Sequence, residues 1–593
     1  MEEPSEIIVQ GRRFCDSIDS YTLLEDLTWS ASEKKWVLKF ALSGNFPPTD
    51  KVPAETVWYA LISKNYPYGS LNIYPAAKGG IESTFPHMNL NRDTGKSWRS
   101  GDICIKTQYG AWKSSYFNKE PFDAYRLQWC IKRSLLWIKA AAEGTLQAEG
   151  DPFEFPHIPL ESKIITRWIF AESPEMFQNW QTSGHTGILE FYKPAINTNL
   201  AVVLNYSDDN GSNLRYEWGS LLANAKDNRE PAFWFRVPEI PVIEPWQIPL
   251  TWGELFTLFE RKGWPLRSFL VDKLVSGKLL DKTKYLSIGF PVAPFFGQQP
   301  ERMHWYALRL PGSQKSLTGY RVNTGEWRKA QFSRIYAGHQ SIKWLNSENW
   351  IKDQITARGS ADEQLADFKI CVIGAGAVGS YLTELLVRMG CSRLIIVDDD
   401  GASAGNFSRH TLDMKSVARY KSDEVAMKAN QIFPFIKAQS SIYTIEKVLD
   451  KEPEFLNQFD LVLDCTAEDG VLRLLSEHCT GEKQIVFSVS LGIEAQSLLA
   501  FMKRSPLQNL FSEFKDKTKN WSLDQKQKFP NPQFPLEGIG CWHPVFPARI
   551  DDIQSLAACT IRQLEMFLKS NDQSKLVIME RDDNYNISIE SVI

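Results

Sequence analysis

Residues 369–379 read Lys-Ile-Cys-Val-Ile-Gly-Ala-Gly-Ala-Val-Gly, an apolar strand that runs into a glycine turn opening a helix. Gly374, Gly376 and Gly379 form a GxGxxG. The first glycine permits the tight turn, the second lets backbone approach a phosphate, and the third lets helix pack on strand. The helix start then offers free N–H groups and a positive dipole end to an anion. A second apolar strand, Leu394–Val397, ends in Asp398, Asp399 and Asp400. Asp398 lies about twenty residues past the turn, where an acid takes ribose hydroxyls. The run therefore predicts a doubly wound, nucleotide-binding parallel sheet, without saying which nucleotide.

The residues after the second strand narrow the choice. Asp400 leads through Asn406 and Arg409 to Lys421, which opens a helical pattern through Ala429. A third strand, 460–463, runs into Asp464-Cys465-Thr466. Cations and a further acid thus return to the carboxyl ends of neighbouring strands, where this architecture holds its ligand. A polyphosphate with a metal needs such a set, because cations neutralise phosphate oxygens and magnesium prefers oxygen ligands. A dehydrogenase shares the glycine turn but does not require Arg409, Lys421 and Asp464 together.

This order resembles the ThiF/MoeB adenylation domain, the core of ubiquitin-activating enzymes, over roughly 350–593. The resemblance implies ATP and Mg2+ as cofactors. It implies that Asp398 and Asp400 belong to the nucleotide site, that Asn406, Arg409 and Lys421 hold the triphosphate, and that Asp464 supports the magnesium. The family's Asp-Cys-Thr-Asp-Asn motif departs here to Ala467-Glu468-Asp469 after Thr466. The Arg-Gln pair that usually precedes the first strand is replaced by Asp353-Gln354, with Lys352 and Arg358 nearby.

Two cysteines stand out by context. Cys541 lies between Gly540 and Trp542-His543-Pro544, after a polar, proline-broken stretch over 515–535 and before a helical pattern over Asp551–Leu568. A cysteine in a loop beside a helix start has a route to a depressed thiol pKa. Activating enzymes use such a cysteine to take the carrier from its adenylate. The alternative for Cys541 is a small buried apolar residue. Cys371 and Cys465 read as packing residues.

Cys104 lies near the other end. Strand-like runs, Lys35–Leu42 and Glu55–Ile62, come first, then proline-rich Tyr66–Pro75, Pro86-His87-Met88-Asn89 and Gly101-Asp102-Ile103-Cys104. A helix pattern spans Phe122–Ala142. This resembles a ubiquitin-conjugating enzyme, in which a His-Pro-Asn element supplies an oxyanion donor. The order here is Pro86-His87-Met88-Asn89, farther from the cysteine than in that family; the resemblance carries the oxyanion role to Asn89, and leaves His87 open between a functional and a structural role.

Between the ends, Asp151-Pro152 marks a boundary. Strand-like runs cover Lys163–Ala171, Gly187–Tyr192, Leu200–Asn205 and Tyr285–Val292. Residues 226–250 read as a linker or exposed loop. Residues 252–275 read as one helical stretch. No repeat and no catalytic constellation is visible there. The expectation is three parts: a conjugating-like α+β domain over 1–150, an α/β connector over 151–345, and a Rossmann-like adenylation domain over 346–593.

The nine cysteines in 593 residues follow no framework spacing. No window approaches the ~18 uninterrupted apolar residues of a membrane span, and the acidic start lacks a secretory apolar core. These point to reduced thiols and a cytoplasmic location. No CxxC occurs, so no zinc knot is expected. The net charge of −4 argues against nucleic acid as main partner.

The combination resembles the fused activating–conjugating proteins, Cap2, of type II CBASS anti-phage systems. That resemblance implies a carrier C-terminus from a cGAS/DncV-like nucleotidyltransferase, activation as an acyl-adenylate, a thioester on Cys541, transfer to Cys104, and amide ligation to a target lysine. A homodimer joined through the adenylation domains is expected. Conjugation with another carrier, or sulfur-carrier adenylation, are the rivals.

Overall fold

The computed structural model describes residues 2–106, 119–159, 166–194, 197, 199–223, 229–275, 283–312, 319–321, 324–537, 543–544, 546–582 and 584–592. The chain divides into two compact units, 1–216 with 228–349, and 217–227 with 350–593. No helix among the described residues is long and apolar enough to cross a membrane.

The first unit begins with an antiparallel meander, β1 (Tyr21–Ser30), β2 (Lys35–Ser43), β3 (Glu55–Ser63) and β4 (Leu71–Pro75), ordered β1-β2-β3-β4. β1 was not legible as a strand: it lies at the sheet edge, mostly exposed, so it lacks an apolar alternation. The other strands alternate more deeply buried side chains. Leu38, Phe40 and Trp58 pack with Leu127, Ile131 and Trp137 of the helix Arg126–Glu143. That helix ends on Gly144 at φ +68, a left-handed cap that glycine adopts without strain. Phe122 and Tyr125, expected inside it, precede it and are exposed.

The rest of this unit is a nine-stranded mixed sheet. Its strands are β5 (Arg167–Phe170), β6 (Thr186–Tyr192), β7 (Leu200–Asp208), β8 (Asn213–Arg215), β9 (Arg229–Arg236), β10 (Tyr285–Val292), β11 (Arg302–Arg309), β12 (Lys343–Trp344) and β13 (Asn346–Asn349). The order is β12-β11-β10-β9-β6-β7-β5-β13, with β8 on β7. Part of the segment expected to be a linker is therefore a central strand. Ala232–Phe235 are buried in β9, and the prolines that suggested a loop fall at its start and after its end. Phe233 and Phe235 face a core built on the helices Trp252–Arg261 and Gly325–Ile335. The expected single helix over 252–275 is two, Trp252–Arg261 and Leu266–Val275. Gly263 at φ +72 and Pro265 break it. Trp234 points to the opposite face by strand alternation, where it meets Trp180, Tyr206 and Trp305. At the centre of that aromatic cluster Glu172 is fully buried and accepts from Trp180 Nε1, Trp305 Nε1 and Tyr216 Oη at 3.0, 2.9 and 2.6 Å.

The second unit is a doubly wound sheet. β14 (Lys369–Ile373), β15 (Arg393–Val397), β16 (Lys437–Ser441), β17 (Leu461–Asp464) and β18 (Ile485–Leu491) are mutually parallel in the order β16-β15-β14-β17-β18. β19 (Ser497–Arg504) continues the sheet antiparallel. β20 (Leu536–Glu537) and β21 (His543–Pro544) pair separately, and β22 (Ser574–Arg581) and β23 (Ile587–Val592) finish the main sheet antiparallel. The chain winds outward through β15 and β16, then returns to the other side of β14 as β17. This reversal opens a crevice at the carboxyl ends of β14 and β17, the site of ligand binding in such sheets. Helices Ala377–Arg388 and Ile550–Lys569 bury one sheet face, and Asp469–His478 with Leu510–Lys528 bury the other. The stretch 515–535, expected to be broken and polar, is helical to Lys528. Leu510, Phe514 and Thr518 supply its buried side, its lysines stand mostly on the other, and its prolines come only later.

Candidate functional site

The glycine turn occupies the crevice. Gly374 N–H donates to Val397 O at 2.9 Å, and Gly374 sits at φ +89. A Cβ on Gly379 would lie 1.9 Å from Gly374 O, so helix and strand ends touch there. A Cβ on Gly376 would meet nothing within 4 Å. That open side is where backbone can receive an anion at the start of Ala377–Arg388.

Ala375, between the two glycines, is held on both sides. Its N–H donates to Asp398 Oδ2 at 2.6 Å, and His410 Nε2 donates to its carbonyl at 2.6 Å. His410 Nδ1 accepts from Leu412 N–H at 3.1 Å, which fixes the neutral tautomer. Burial pushes the His410 pKa down to about 4. Asp398 also accepts from Asp400 N–H at 2.8 Å, and burial raises its carboxyl above the ordinary range. Both its oxygens thus carry backbone bonds, and each keeps acceptor capacity for a hydroxyl. His410 directly follows Arg409 in the chain but carried no sequence signal of its own. Its role depends on a carbonyl 35 residues away.

Asn406, Arg409 and Lys421 line one cleft of about 360 Å³ together with Gly376, Ala377 and Thr466. Ser403 and Asn406 form a capping box on the short 3₁₀ turn Ala404–Ser408, which aims this loop. Lys421 begins the helix Lys421–Ile432 and pairs with Asp400. Arg409 donates to the carbonyl of Phe546, which also lines the cleft. A triphosphate fits this cradle: a helix start with an open glycine, two cations and an amide face a single space.

Asp464 ends β17 and is fully buried. Oδ1 accepts from Thr466 N–H and Thr466 Oγ1 at 3.0 and 2.7 Å, and Oδ2 from Ser488 Oγ at 2.8 Å. Burial raises its pKa. As placed it orients Thr466, which lines the cleft, and its three bonds leave an acceptor site on Oδ2. Among the described residues no group of three or more His, Cys, Asp or Glu gathers for a metal. Magnesium at a nucleotide is held by one or two carboxylates with waters and the substrate phosphates, so a single acid at the end of β17 fits a supporting role and no all-protein cage is required. Cys371 and Cys465 are desolvated, which pushes both thiols well up.

Cys541 lies outside the described residues. The strands on either side of it pair, Leu536 with Pro544 and Glu537 with His543. Downstream, Phe546 and Ala548 reach the wall of the nucleotide cleft.

Cys104 is exposed at one side of a second cleft, of about 560 Å³, in the first unit. The residue before it, Ile103, bridges Met88, and Cys104 N–H donates to His87 O at 2.8 Å. Asn89 Nδ2 donates to Asp102 Oδ1, and Asn89 N–H donates to Asp102 O at 3.0 Å. Asp102 also accepts from Asn72 Nδ2 at 3.1 Å. The structure thus brings His87, Asn89 and Cys104 together. Four residues of the connecting region, Glu154, Phe155, His157 and Trp246, line the same cleft. None of the four was a sequence candidate.

Comparison with known proteins matches both regions after the first. The family described as "Cap2 central linker domain" matches residues 144–350, and the ThiF family matches residues 351–561. Over 547 residues the chain is 31% identical to "ATP-dependent ubiquitin transferase-like protein Cap2" of Enterobacter hormaechei subsp. hoffmannii, covering 89% of each chain. A protein of the same description from Escherichia coli is 29% identical over 151 residues, 25% of this chain and 24% of that one. A "Molybdopterin-synthase adenylyltransferase" from Haemophilus influenzae is 28% identical over 151 residues, 24% of this chain and 60% of that one.

Proposed function

Because the chain belongs to the Cap2 family, we propose that it uses ATP to activate the C-terminus of a carrier protein and passes the acyl group through two cysteines to an amine. One observation carries the reading: the open glycine, Asn406, Arg409 and Lys421 converge on one cleft at the switch point of the sheet. Charge develops on phosphate oxygens during adenylation, and preformed N–H groups and cations stabilise it without reorganising.

The steps balance as acyl transfers. A carboxylate oxygen of the carrier attacks the α-phosphorus, an O–P bond forms, and pyrophosphate leaves. N–H groups at the start of the helix from Ala377 bind the phosphates, while Lys421 and Arg409 neutralise the leaving charge. The Cys541 thiolate then attacks the carbonyl carbon and AMP leaves. Cys104 takes the acyl group by thioester exchange, releasing Cys541 as thiolate. A lysine nitrogen finally forms the amide, the C–S bond breaks, and the nitrogen's proton passes to water. Exposed Cys104, lining one cleft with Asn89, supports a ubiquitin-conjugating-like role for the first region. The carrier we assign is the C-terminus of a cGAS/DncV-like nucleotidyltransferase, in anti-phage defence. A two-fold dimer through the adenylation units is the assembly we assign, this being the commonest closed symmetry.

Carrier-dependent exchange of pyrophosphate into ATP tests the first step. It is expected in the parent and lost in Lys421→Ala. Cys541→Ala should adenylate without forming a thioester. Cys104→Ala should keep the Cys541 thioester and make no amide. Unchanged amide product from Cys104→Ala would leave adenylation alone as the activity.

A further inference from the structure

The segment leading to Asn89 is held by the connecting region at two points. At one end Trp246 N–H donates to Thr84 O at 3.0 Å, and Thr84 Oγ1 lies 3.3 Å from Gln247 Oε1. Three residues on, Glu154 takes the next turn. Its two oxygens accept the backbone N–H of His87 at 3.1 and 3.2 Å, and Oε2 lies 2.9 Å from His87 Nδ1. His87 sits at φ +55, a left-handed conformation disfavoured for a side-chain-bearing residue. Such a conformation persists only where its surroundings over-determine it. Glu154 is one group that does so from outside the turn. The His87 carbonyl then accepts the N–H of Cys104, while Met88 bridges Ile103 and Asn89 binds Asp102. A continuous path of contacts runs from a carboxylate of the connecting region, through a strained turn, to the backbone of the exposed cysteine.

We infer that Glu154 is a positioning residue for acyl transfer from Cys104, which makes the connecting region part of the transfer site as well as a spacer. This rests on the reading of Cys104 as an acyl acceptor. Glu154 acts through the His87 turn and sets where the sulfur and Asn89 stand relative to the attacking nitrogen.

The test uses the full chain carrying Cys541→Ala. Cys104 is loaded with the 2-mercaptoethanesulfonate thioester of N-acetylglycine: its thiolate attacks the carbonyl and mercaptoethanesulfonate leaves. Discharge to free lysine is then followed by intact mass. Glu154→Ala should load to the same extent and discharge about tenfold more slowly, because misplacement of about 1 Å costs up to 10²-fold in rate. Glu154→Gln keeps an oxygen for the His87 N–H and should recover to within about threefold of the parent. If Glu154→Ala does not fold, Glu154→Asp, which keeps the charge and shortens the reach, takes its place with the same slowing expected. Parent-like discharge from the Ala or Asp variant overturns the inference. So does a loss of loading and discharge together that Gln does not rescue, which is the mark of a purely structural residue. If Cys104 of the parent takes no acyl group at all, the acceptor reading itself fails, a result distinct from the other two.

Discussion

Lys421 Nζ stands 2.8 Å from Asp400 Oδ2, and the two ends of this ion pair live in different surroundings. The lysine side chain is 11% exposed and the aspartate 70%. The cation is therefore fixed in the cleft wall, while its partner is free to be hydrated when a phosphate competes for the ammonium.

Lys421→Met should abolish pyrophosphate exchange. Asp400→Asn should leave the thermal midpoint within about 2 °C of the parent, because a pair with one well-exposed member contributes roughly 0–1 kcal/mol. Differential scanning calorimetry and the exchange assay together check both. A collapse of exchange in Asp400→Asn would show that the carboxylate does more than hold the lysine.

The two glycines beside the cleft should separate folding from binding. In Gly379→Ala the new carbon would lie 1.9 Å from a backbone carbonyl, so the unit should lose about 3 kcal/mol or fail to fold. Gly376→Ala meets nothing within 4 Å and should fold normally. Its methyl group instead occupies the approach of the phosphate, and ATP affinity by calorimetric titration should fall about tenfold.

His410 gives the adenylation unit a defined acid sensitivity. Its pKa is pushed down to about 4 in the folded state against about 6.5 unfolded, so the unfolded chain binds the extra proton between those values. Stability is full above pH 6.5 and falls as pH drops toward 4, by roughly 3 kcal/mol across the window. Stabilities of this unit from urea melts at pH 7.5 and 5.0 should differ by about 2 kcal/mol, the part of the window they span, and His410→Gln should flatten the difference.

Glu172 predicts the opposite slope for the other unit. Burial pushes its pKa up to about 7 despite three donors, against about 4.5 unfolded. The folded state therefore binds the extra proton between those values. This stability is full below pH 4.5 and is lost as pH rises through 7, again roughly 3 kcal/mol in all. Glu172→Gln should remove the dependence. A steeper loss at high pH in the Gln variant would contradict the assignment.

What could be read in the sequence was whatever lies close along the chain. The strand, glycine turn and helix of 369–388 are contiguous, and their geometry comes from three glycine positions. Cys104 with His87 and Asn89 was also within reach, because all three fall within one 18-residue stretch whose two ends pair through Met88 and Ile103. Contacts across the chain were not. Glu154 meets His87 across 67 residues, Trp305 meets Glu172 across 133, and β13 joins the sheet beside β5 from 179 residues downstream. Nothing local marks such partners. Local charge also misled: the lysines of 515–528 suggested a broken polar stretch, yet one buried stripe is enough to seat a helix whose other side stays wet.

Ala375 has its N–H committed to Asp398 and its carbonyl to His410, both groups of the protein itself. The loop under the phosphates therefore needs no search for its bound shape, and the entropy of ordering it is spent during folding. Nucleotide association at this floor should proceed in a single kinetic phase whose observed rate stays linear in ATP concentration, as for a rigid receptor.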